Sequence, residues 1–430
     1  MEIRLKFSDI EAFQAIAKMH SYTSRGDPEL YVRLQLKDDN LSVSYYGEYS
    51  QVSIATTLGQ LDATSVGANK ECDIFTPADK LSKALNNINW KTNASMKIDS
   101  NTILISSGKR RFKLPLVTDF VPSDKPTIKV ADLNIKDVEA MITPHSLITS
   151  RTGYVLIDSD GFISCDSSKR YVVCHTTNDQ ISIPKAVKFT PVDKEERDIK
   201  TAFTTYTKIM RSSISMISDY ADEETFEMSF VIPSEVPAQV QFAVSTEYGE
   251  LTQTIRLLDS KIHDPMVQIK GHVDTIDVSS ACVPSVEFVS ALNAATVTEE
   301  SKLDAIVLLS NTSDIQKMNI RTPDEVFVDE VGVETTCEFN VSVRPSYLSK
   351  IMNSGEGDVN FTFGTKTRAF LVNKENVTYM MGCLIDPALG MKYDIKETAV
   401  VDSKSGDRGE EGAIREPTGS VEELTGTKTS

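Results

Sequence analysis

Residues able to do covalent or acid–base chemistry are spread through this sequence without the spacing such chemistry needs. The five histidines, His20, His145, His175, His263 and His272, include no HExxH pair, and no GxSxG elbow is present to raise a nucleophilic serine. Gly108-Lys109 lacks the upstream glycine and the following Ser or Thr of a phosphate-binding loop. Cys72, Cys165, Cys174, Cys282, Cys337 and Cys383 form no CxxC pair and have no histidine at ligand spacing, so they read as small buried hydrophobes rather than a zinc site or a disulfide framework. Paired acids such as Glu410-Glu411 fall in a C-terminal stretch with no fixed geometry for a general acid or base. Catalysis, metal binding and a cofactor are therefore not expected.

The residue type that does show a pattern is the cation on a helix face. Residues 196–218 read as one long helix with Ile199, Phe203, Tyr206 and Met210 on one side and Lys200, Thr204, Lys208 and Arg211 on another. In the helix read at 78–88, Lys80, Lys83 and Asn87 lie away from Leu81, Ala84, Leu85 and Ile88, and Gln14 and Lys18 lie away from Ile10 and Phe13. Any one of these is an ordinary solvated face. Their sum matters because the formal net charge is -17, which repels DNA from an unshaped surface, so contact with nucleic acid has to be segregated onto one face. Such contacts would be to phosphates and would carry no sequence information. Lys109-Arg110-Arg111 reads instead as a hairpin turn, since Phe112 and Leu114 continue the alternation.

The elements that must position these residues are legible in outline. A chain of 430 residues exceeds one ordinary core and predicts two to three domains, and 40% hydrophobic with 25% charged residues is ordinary for a globular protein. No apolar run of signal-peptide or membrane-span length is seen, which predicts a cytoplasmic protein with no membrane partner. EIRLKF reads as a strand and SDIEAFQAIAKMH as a helix with Ser8 and Glu11 at capping-box spacing. ELYVRLQLKDDNLSVSYY reads as a hairpin, and in CDIFTPADKLSKALNNI Thr76 is expected to cap a helix with Pro77 in its first turn.

CDIFTPADKLSKALNNI and the strands after it have a counterpart in CEFNVSVRPSYLSKIMNSGEGDVNFTFGTKTRAFLVNKENVTYMMGCLI, and the middle of the chain follows the same order more loosely, with IKDVEAMITPHSLI read as one helix. The expected division is 1–126, 127–270 and 271–392 as three repeats, with 393–430 as an acidic disordered tail.

Three stretches carry a resemblance to the bacterial DNA polymerase III beta-subunit family of sliding clamps over roughly residues 1–386. They are FTPADKLSKALNNI through DFVP, GYVLIDSDGFISCDSSKRYVVC with Asp166, Lys169, Arg170 and Tyr171 at the places of the family's hairpin motif, and the closing YMMGCLI. Two departures stand out: Ser167-Ser168 replaces a glycine, and the chain runs on past the last motif.

The resemblance implies an α+β protein whose three repeated clamp domains, antiparallel sheets outside and helices inside, close as a head-to-tail homodimeric ring around duplex DNA. It implies DNA polymerase and a clamp loader as partners. It adds Arg25, Arg151 and Tyr154 to Lys80, Lys83, Lys200, Lys208 and Arg211 as DNA-facing residues. A partner-peptide cleft would be lined by Arg170, Tyr171, Met380, Met381, Cys383 and Leu384, with DPALGMKY able to lie over it. The dimer interface would use Phe112 and Leu114 against Thr296 and Val297. The competing readings are a scaffold of repeated β-rich domains that does not bind DNA, and a carboxylate–metal nuclease, for which no clustered acidic motif appears.

Overall fold

Short runs of alternating apolar and polar residues bury one side of each strand, and a chain built of them must pair every edge or cover it. The computed structural model describes residues 2–5, 31–37, 40–47, 50–57, 65–66, 72–87, 94–98, 101–117, 126–148, 153–165, 172–191, 195–232, 237–273, 279–297, 305–311, 314–353, 358–364, 368–374, 376–389 and 391–397. The helix read at residues 8–20 and the acidic tail from 398 onward lie outside them.

One order of elements occurs three times. In the first copy Glu2–Leu5 (β1) is followed by the meander Tyr31–Lys37 (β2), Asn40–Tyr46 (β3) and Ser50–Thr57 (β4), then by Ser65–Val66 (β5), Cys72–Pro77 (β6) and the helix Ala78–Asn86 (α1). A second meander closes it: Ala94–Ile98 (β7), Thr102–Ser107 (β8) and Arg110–Pro115 (β9). The second copy has Thr127–Asn134 (β10), helices Ile135–Ile142 (α2) and His145–Ile148 (α3), and the meander Tyr154–Asp158 (β11), Gly161–Cys165 (β12) and Val172–Thr176 (β13). An added hairpin follows, Ala186–Phe189 (β14) with Arg197–Lys200 (β15), before Phe203–Tyr206 (β16), the helix Thr207–Tyr220 (α4) and the closing meander Thr225–Val231 (β17), Gln239–Thr246 (β18) and Gly249–Arg256 (β19).

The helix Ser260–Val273 (α5) leads into the third copy. It contains Ser279–Pro284 (β20), the helix Ser285–Val297 (α6), the meander Val307–Ser310 (β21), Lys317–Arg321 (β22) and Val328–Gly332 (β23), then Glu334–Thr335 (β24) and Cys337–Val343 (β25). The helix Pro345–Met352 (α7) and the meander Asp358–Phe363 (β26), Ala369–Lys374 (β27) and Val377–Gly382 (β28) complete it, and Tyr393–Glu397 (β29) comes last.

Sheets run across the copies. β19 pairs antiparallel with β4, which joins the second copy's closing meander to the first copy's opening one in an eight-stranded sheet, β10-β17-β18-β19-β4-β3-β2-β6. β28 pairs with β13 in the same sense and makes the nine-stranded sheet β16-β11-β12-β13-β28-β27-β26-β20-β24. What is left is the two-stranded β14-β15 hairpin and a half-sheet in each of the first and third repeats, β5-β1-β7-β8-β9 and β23-β22-β21-β25-β29.

Each shared sheet is two-faced. In β13, Val172 and Cys174 join the core packed under α3, α6 and α7, while Val173 belongs to a separate cluster on the other side; Tyr379 and Met381 alternate with Met380 in β28 in the same way. Gly161, at φ +144, opens β12 where a Cβ would stand 2.2 Å from the Thr176 carbonyl oxygen, so no larger residue fits that turn.

Several sequence expectations are corrected. Residues 196–218 are two short strands and a helix that begins only at Thr207, so Ile199, Phe203, Tyr206, Lys200 and Thr204 are not on a helix face. The reason is local: Phe203-Thr204-Thr205-Tyr206 is β-branched and aromatic, and pairing with β11 buries the first three. The helix expected over 135–148 is broken at Thr143-Pro144, where Pro144 cannot continue the ladder. Thr76 does not cap α1. It is buried in β6 and donates to the Pro115 carbonyl at 3.0 Å, and no side chain caps that helix. Residues 393–397, expected in the tail, pair with β25. The helix α5 was not foreseen.

His145 fastens α3 to the sheet. Thr176 Oγ1 donates to the Met141 carbonyl at 3.1 Å, which leaves it to accept from His145 Nε2–H at 2.9 Å, and Nδ1 then accepts from the Ser164 hydroxyl at 2.6 Å. The ring is fully buried, and burial, with a smaller repulsion from His175, lowers its pKa to about 3. An unfolded histidine titrates near ~6.5 and binds the proton that the folded one refuses. The stability due to this group is therefore complete above about pH 6.5 and is lost as the pH falls from there toward about 3. Urea denaturation between pH 7 and 4 is expected to show a slope of up to about 1.4 kcal/mol per pH unit from this residue. His145→Gln is expected to be less stable at pH 7 and to lose that part of the slope.

Candidate functional site

The helices other than α5 bury their apolar stripes against one face of the sheets, and α1, α2, α4 and α7 turn cations outward. In α1, Leu81, Ala84 and Leu85 are buried while Lys80 and Lys83 are exposed, with Lys83 Nζ 3.5 Å from Asp79 one turn away. In α4, Met210, Ile214 and Ile217 are buried and Lys208 and Arg211 are exposed. Lys136 on α2 and Lys350 on α7 add to these, the latter 5.7 Å from the Tyr347 ring. The pattern weakens in α6, which has no Lys or Arg and instead exposes Val286 and Glu287. Asn134 starts α2 by accepting from the Lys136 and Asp137 amides. Arg110 donates to the carbonyl of Asn87 at the C-terminal end of α1, where a cation is favoured, which fits the hairpin-turn reading of Lys109-Arg110-Arg111.

Other expected DNA-facing residues separate from this set. Lys200 is exposed on β15, opposite Ala186, and belongs to the added hairpin. Tyr154 lies on the sheet face away from the helices, against the second cluster and 5.6 Å from the Tyr206 ring. Arg25 and Arg151 lie outside the described residues.

The expected cleft residues divide in the same way. Met380 contributes to the outer cluster, but Met381 is 2% exposed in the core beneath the helices, so it supports the sheet rather than lining a cleft. Cys383 packs against that same core; its amide donates to the Arg368 carbonyl at 2.9 Å and burial pushes its thiol pKa up. Leu384 is half-buried, its amide donating to the Ser342 carbonyl. Arg170 and Tyr171 lie outside the described residues. Among the described residues, none of DPALGMKY packs in the outer cluster: the extension turns through Pro387–Leu389 and leads into β29 on β25, with the Tyr393 hydroxyl placed to donate to the carbonyl of Gly364 (2.6 Å) or of Ala369 (2.8 Å).

What does cover the outer face is α5. Met266, 2% exposed, and Val273 pack on Leu156, Ile163, Val173 and Leu371, and Met266 Sδ stands 3.3 Å from Cys165 Sγ. Lys270 reaches the β11–β12 turn and bridges Asp158 at 2.8 Å and Asp160 at 2.7 Å. Burial opposes its charge, but the two carboxylates outweigh burial and hold its pKa above the usual lysine range, while the Lys270 contact lowers that of Asp160. The signal in the sequence was Met266, Ile269 and Val273 at three- and four-residue spacing, obscured by Pro265.

The two end half-sheets present edges of opposite charge. β9 exposes Arg110, Arg111 and Lys113, and β23 exposes Asp329 and Glu330, with Val328 61% and nearby Val326 68% exposed. This pairing of charges went unread in the sequence. Of the expected interface residues, Val297 is 76% exposed, whereas Leu114 (4%) and Thr296 (9%) are buried and Phe112 is half-buried on the core.

No family model and no curated protein sequence matches the chain. Solved structures do. DNA polymerase III subunit beta from Pseudomonas aeruginosa matches with a TM-score of 0.67 at 14% identity, covering 90% of this chain and 100% of that one. The beta sliding clamp of C. crescentus matches with a TM-score of 0.64 at 16% identity, again covering 90% and 100%. The chain therefore has the sliding-clamp fold. Among the described residues no helix is long and apolar enough to cross a membrane.

Burial separates two substitutions at the expected interface. Val297→Lys, at an exposed helix C-terminus, is expected to change stability by no more than about 0.5 kcal/mol. Leu114→Lys places a charge in the core and is expected to cost more than about 3 kcal/mol. Urea midpoints measured on the two variants check the difference.

Proposed function

We propose that this protein is a sliding clamp, in which two copies close head to tail into a ring around duplex DNA and hold a DNA polymerase there after placement by a clamp loader. Three repeats, 1–126, 127–270 and 271–392, make up each copy. The observation that carries this reading is the twice-used junction. β19 meets β4 and β28 meets β13, in each case a closing meander's last strand against an opening meander's last strand. The corresponding strands left over are β9 in the first repeat and β23 in the third, each at the edge of its half-sheet. A third junction of the same kind, formed with a second copy, would cover both edges and bring Arg111 and Lys113 to Asp329 and Glu330. Val297, Val326 and Val328 supply exposed apolar surface at the acidic end.

Within such a ring the cations of α1 and α4 face the phosphates. The protein performs no chemistry on the DNA; it holds by topology and is steered by charge, as a ring that must slide requires. A scaffold that does not bind DNA is the alternative, and the same experiments separate the two.

Sedimentation is expected to report a dimer for the unaltered protein and monomers for Arg111→Glu with Lys113→Glu, and likewise for Asp329→Lys with Glu330→Lys. Mixing the two double variants restores opposite charge at both junctions of the pair, so a heterodimer is expected. A dimer from either variant alone would place the interface elsewhere.

A second measurement concerns the DNA. The protein is expected to remain on a nicked circular plasmid in gel filtration and to leave it once the plasmid is cut, and a chain that behaves alike on both does not encircle DNA. Changing Lys80, Lys83, Lys208 and Arg211 to Glu removes these cations from both copies of the ring and should lower the plasmid-bound fraction and reduce the log–log salt slope by up to about 7, with the dimer intact.

A further inference from the structure

The three repeats treat one sheet edge differently. In the first, β5 lies outside β1, with Ser65 opposite Ile3, and in the third, β24 lies outside β20, with Thr335 opposite Ala281 and Glu334 opposite Cys282. Each covering strand is a short piece of chain between an opening meander and the strand that leads to the helix before the closing meander. In the second repeat that piece of chain is the hairpin β14–β15, which pairs with itself. β10 therefore ends the eight-stranded sheet, and among the described residues its only strand partner is β17. Counted back from the helix that follows, Ala131 and Asp132 stand where Ala281 and Cys282 stand in the third repeat.

The chemistry of this open edge follows from its register. The Pro126 carbonyl accepts from the Ile232 amide and the Glu224 carbonyl from the Ile135 amide, and these two bonds fix the alternation along β10. Ile128, Ala131 and Leu133 then exchange bonds with β17, while Thr127, Lys129 and Asp132 turn their N–H and C=O groups away from it. The register shifts between Lys129 and Ala131, and a bulge and a lysine are two devices that keep an edge from pairing indiscriminately. The Lys129 amine lies 2.7 Å from Asp132 and 3.4 Å from Glu227. Asp132, Glu223, Glu227 and Glu250 surround a cavity of about 350 Å³ on the same side, and among the described residues no lysine or arginine lines it.

We infer that β10 is a strand-addition site, and that its partner is an extended segment of another protein, antiparallel to β10, with lysine or arginine at alternate positions where it passes Asp132 and Glu223. Backbone bonds to Thr127, Lys129 and Asp132 supply the binding, as they do wherever a peptide extends a sheet. The carboxylates select the strand, since cations beside them are favoured and acidic side chains are repelled. The inference goes beyond the clamp reading and does not depend on it, because β10 is an edge of the single chain and takes no part in the contact between β9 and β23.

The test uses the full chain without DNA and a labelled peptide, KVKVTVT, whose lysines and threonines form the alternate set that faces Thr127, Lys129 and Asp132. Bound peptide is expected to slow deuterium exchange at these three amides by about tenfold or more, with β27 and β28 unchanged. EVEVTVT is expected to bind about tenfold more weakly. The first peptide methylated on the backbone nitrogens of its lysines and threonines keeps the charge but loses the donors, and is expected not to bind. In the protein, Lys129→Pro removes an outward N–H at an edge position where proline is tolerated, and is expected to weaken KVKVTVT about tenfold. Asp132→Asn with Glu227→Gln keeps the edge and removes the selection, so the two charged peptides should bind within about twofold of one another. Equal binding of the methylated and unmethylated peptides would reduce the effect to attraction by an acidic surface, and protection that falls outside β10, or no binding at all, would equally overturn the inference.

Discussion

Every strand at the edge of a sheet carries a row of backbone N–H and C=O groups that must find partners, water or a covering element. In this protein that requirement organises the chain. Each repeat is two half-sheets with helices on one side, and neither half-sheet is closed. Running the last strand of one repeat's closing meander against the previous repeat's opening meander satisfies both edges and makes continuous sheets out of successive copies. The chain is one compact unit through Glu397 because neither the sheets nor the cores stop at the repeats: one core runs from Val32 to Ile255 across the first two, and another joins Ile148, Val172 and Cys174 of the second to the third. β29 shows the same requirement met from within, since it covers the edge of β25 with a strand from the chain's own end.

The first and third repeats were legible because their signals are local. The alternation of VRLQLK, the Pro-started helices before LSK and the Asp-Asn turns each specify one element without help from distant residues. The middle repeat was harder to read where tertiary pairing overrides local pattern. Residues 195–206 have helical spacing of apolar residues, yet β14 and β11 each recruit part of them as strands. Thr76 illustrates the same limit on a small scale: a threonine before proline has the sequence of a helix cap, and only the proximity of the Pro115 carbonyl, 39 residues on, gives its hydroxyl another partner.

The candidate surfaces were legible in type more than in address. Cations opposite an apolar stripe were correctly assigned to helix faces for Lys80, Lys83, Lys208 and Arg211, because periodicity decides which way a helical side chain points. Adjacent residues on a strand point to opposite faces, so Met380 and Met381, one position apart, end in different clusters, and a motif that names both cannot say which is accessible. Lys270 and its two carboxylates were out of reach for a different reason. They are 110 and 112 residues apart in sequence, and no local pattern links them.

The edge strands β9 and β23 are not copies of one another: one is basic and begins after a hairpin turn, the other is acidic and belongs to the third repeat. A contact between them is therefore heterologous, each copy giving a different surface, rather than a patch meeting itself. Repeating such a contact carries one copy onto the next without inverting it. A ring closed this way has two unlike faces, with the outer side of every nine-stranded sheet presented in the same sense around the circle. Anything bound to one face of such a ring would be oriented with respect to the polarity of the strand it travels along.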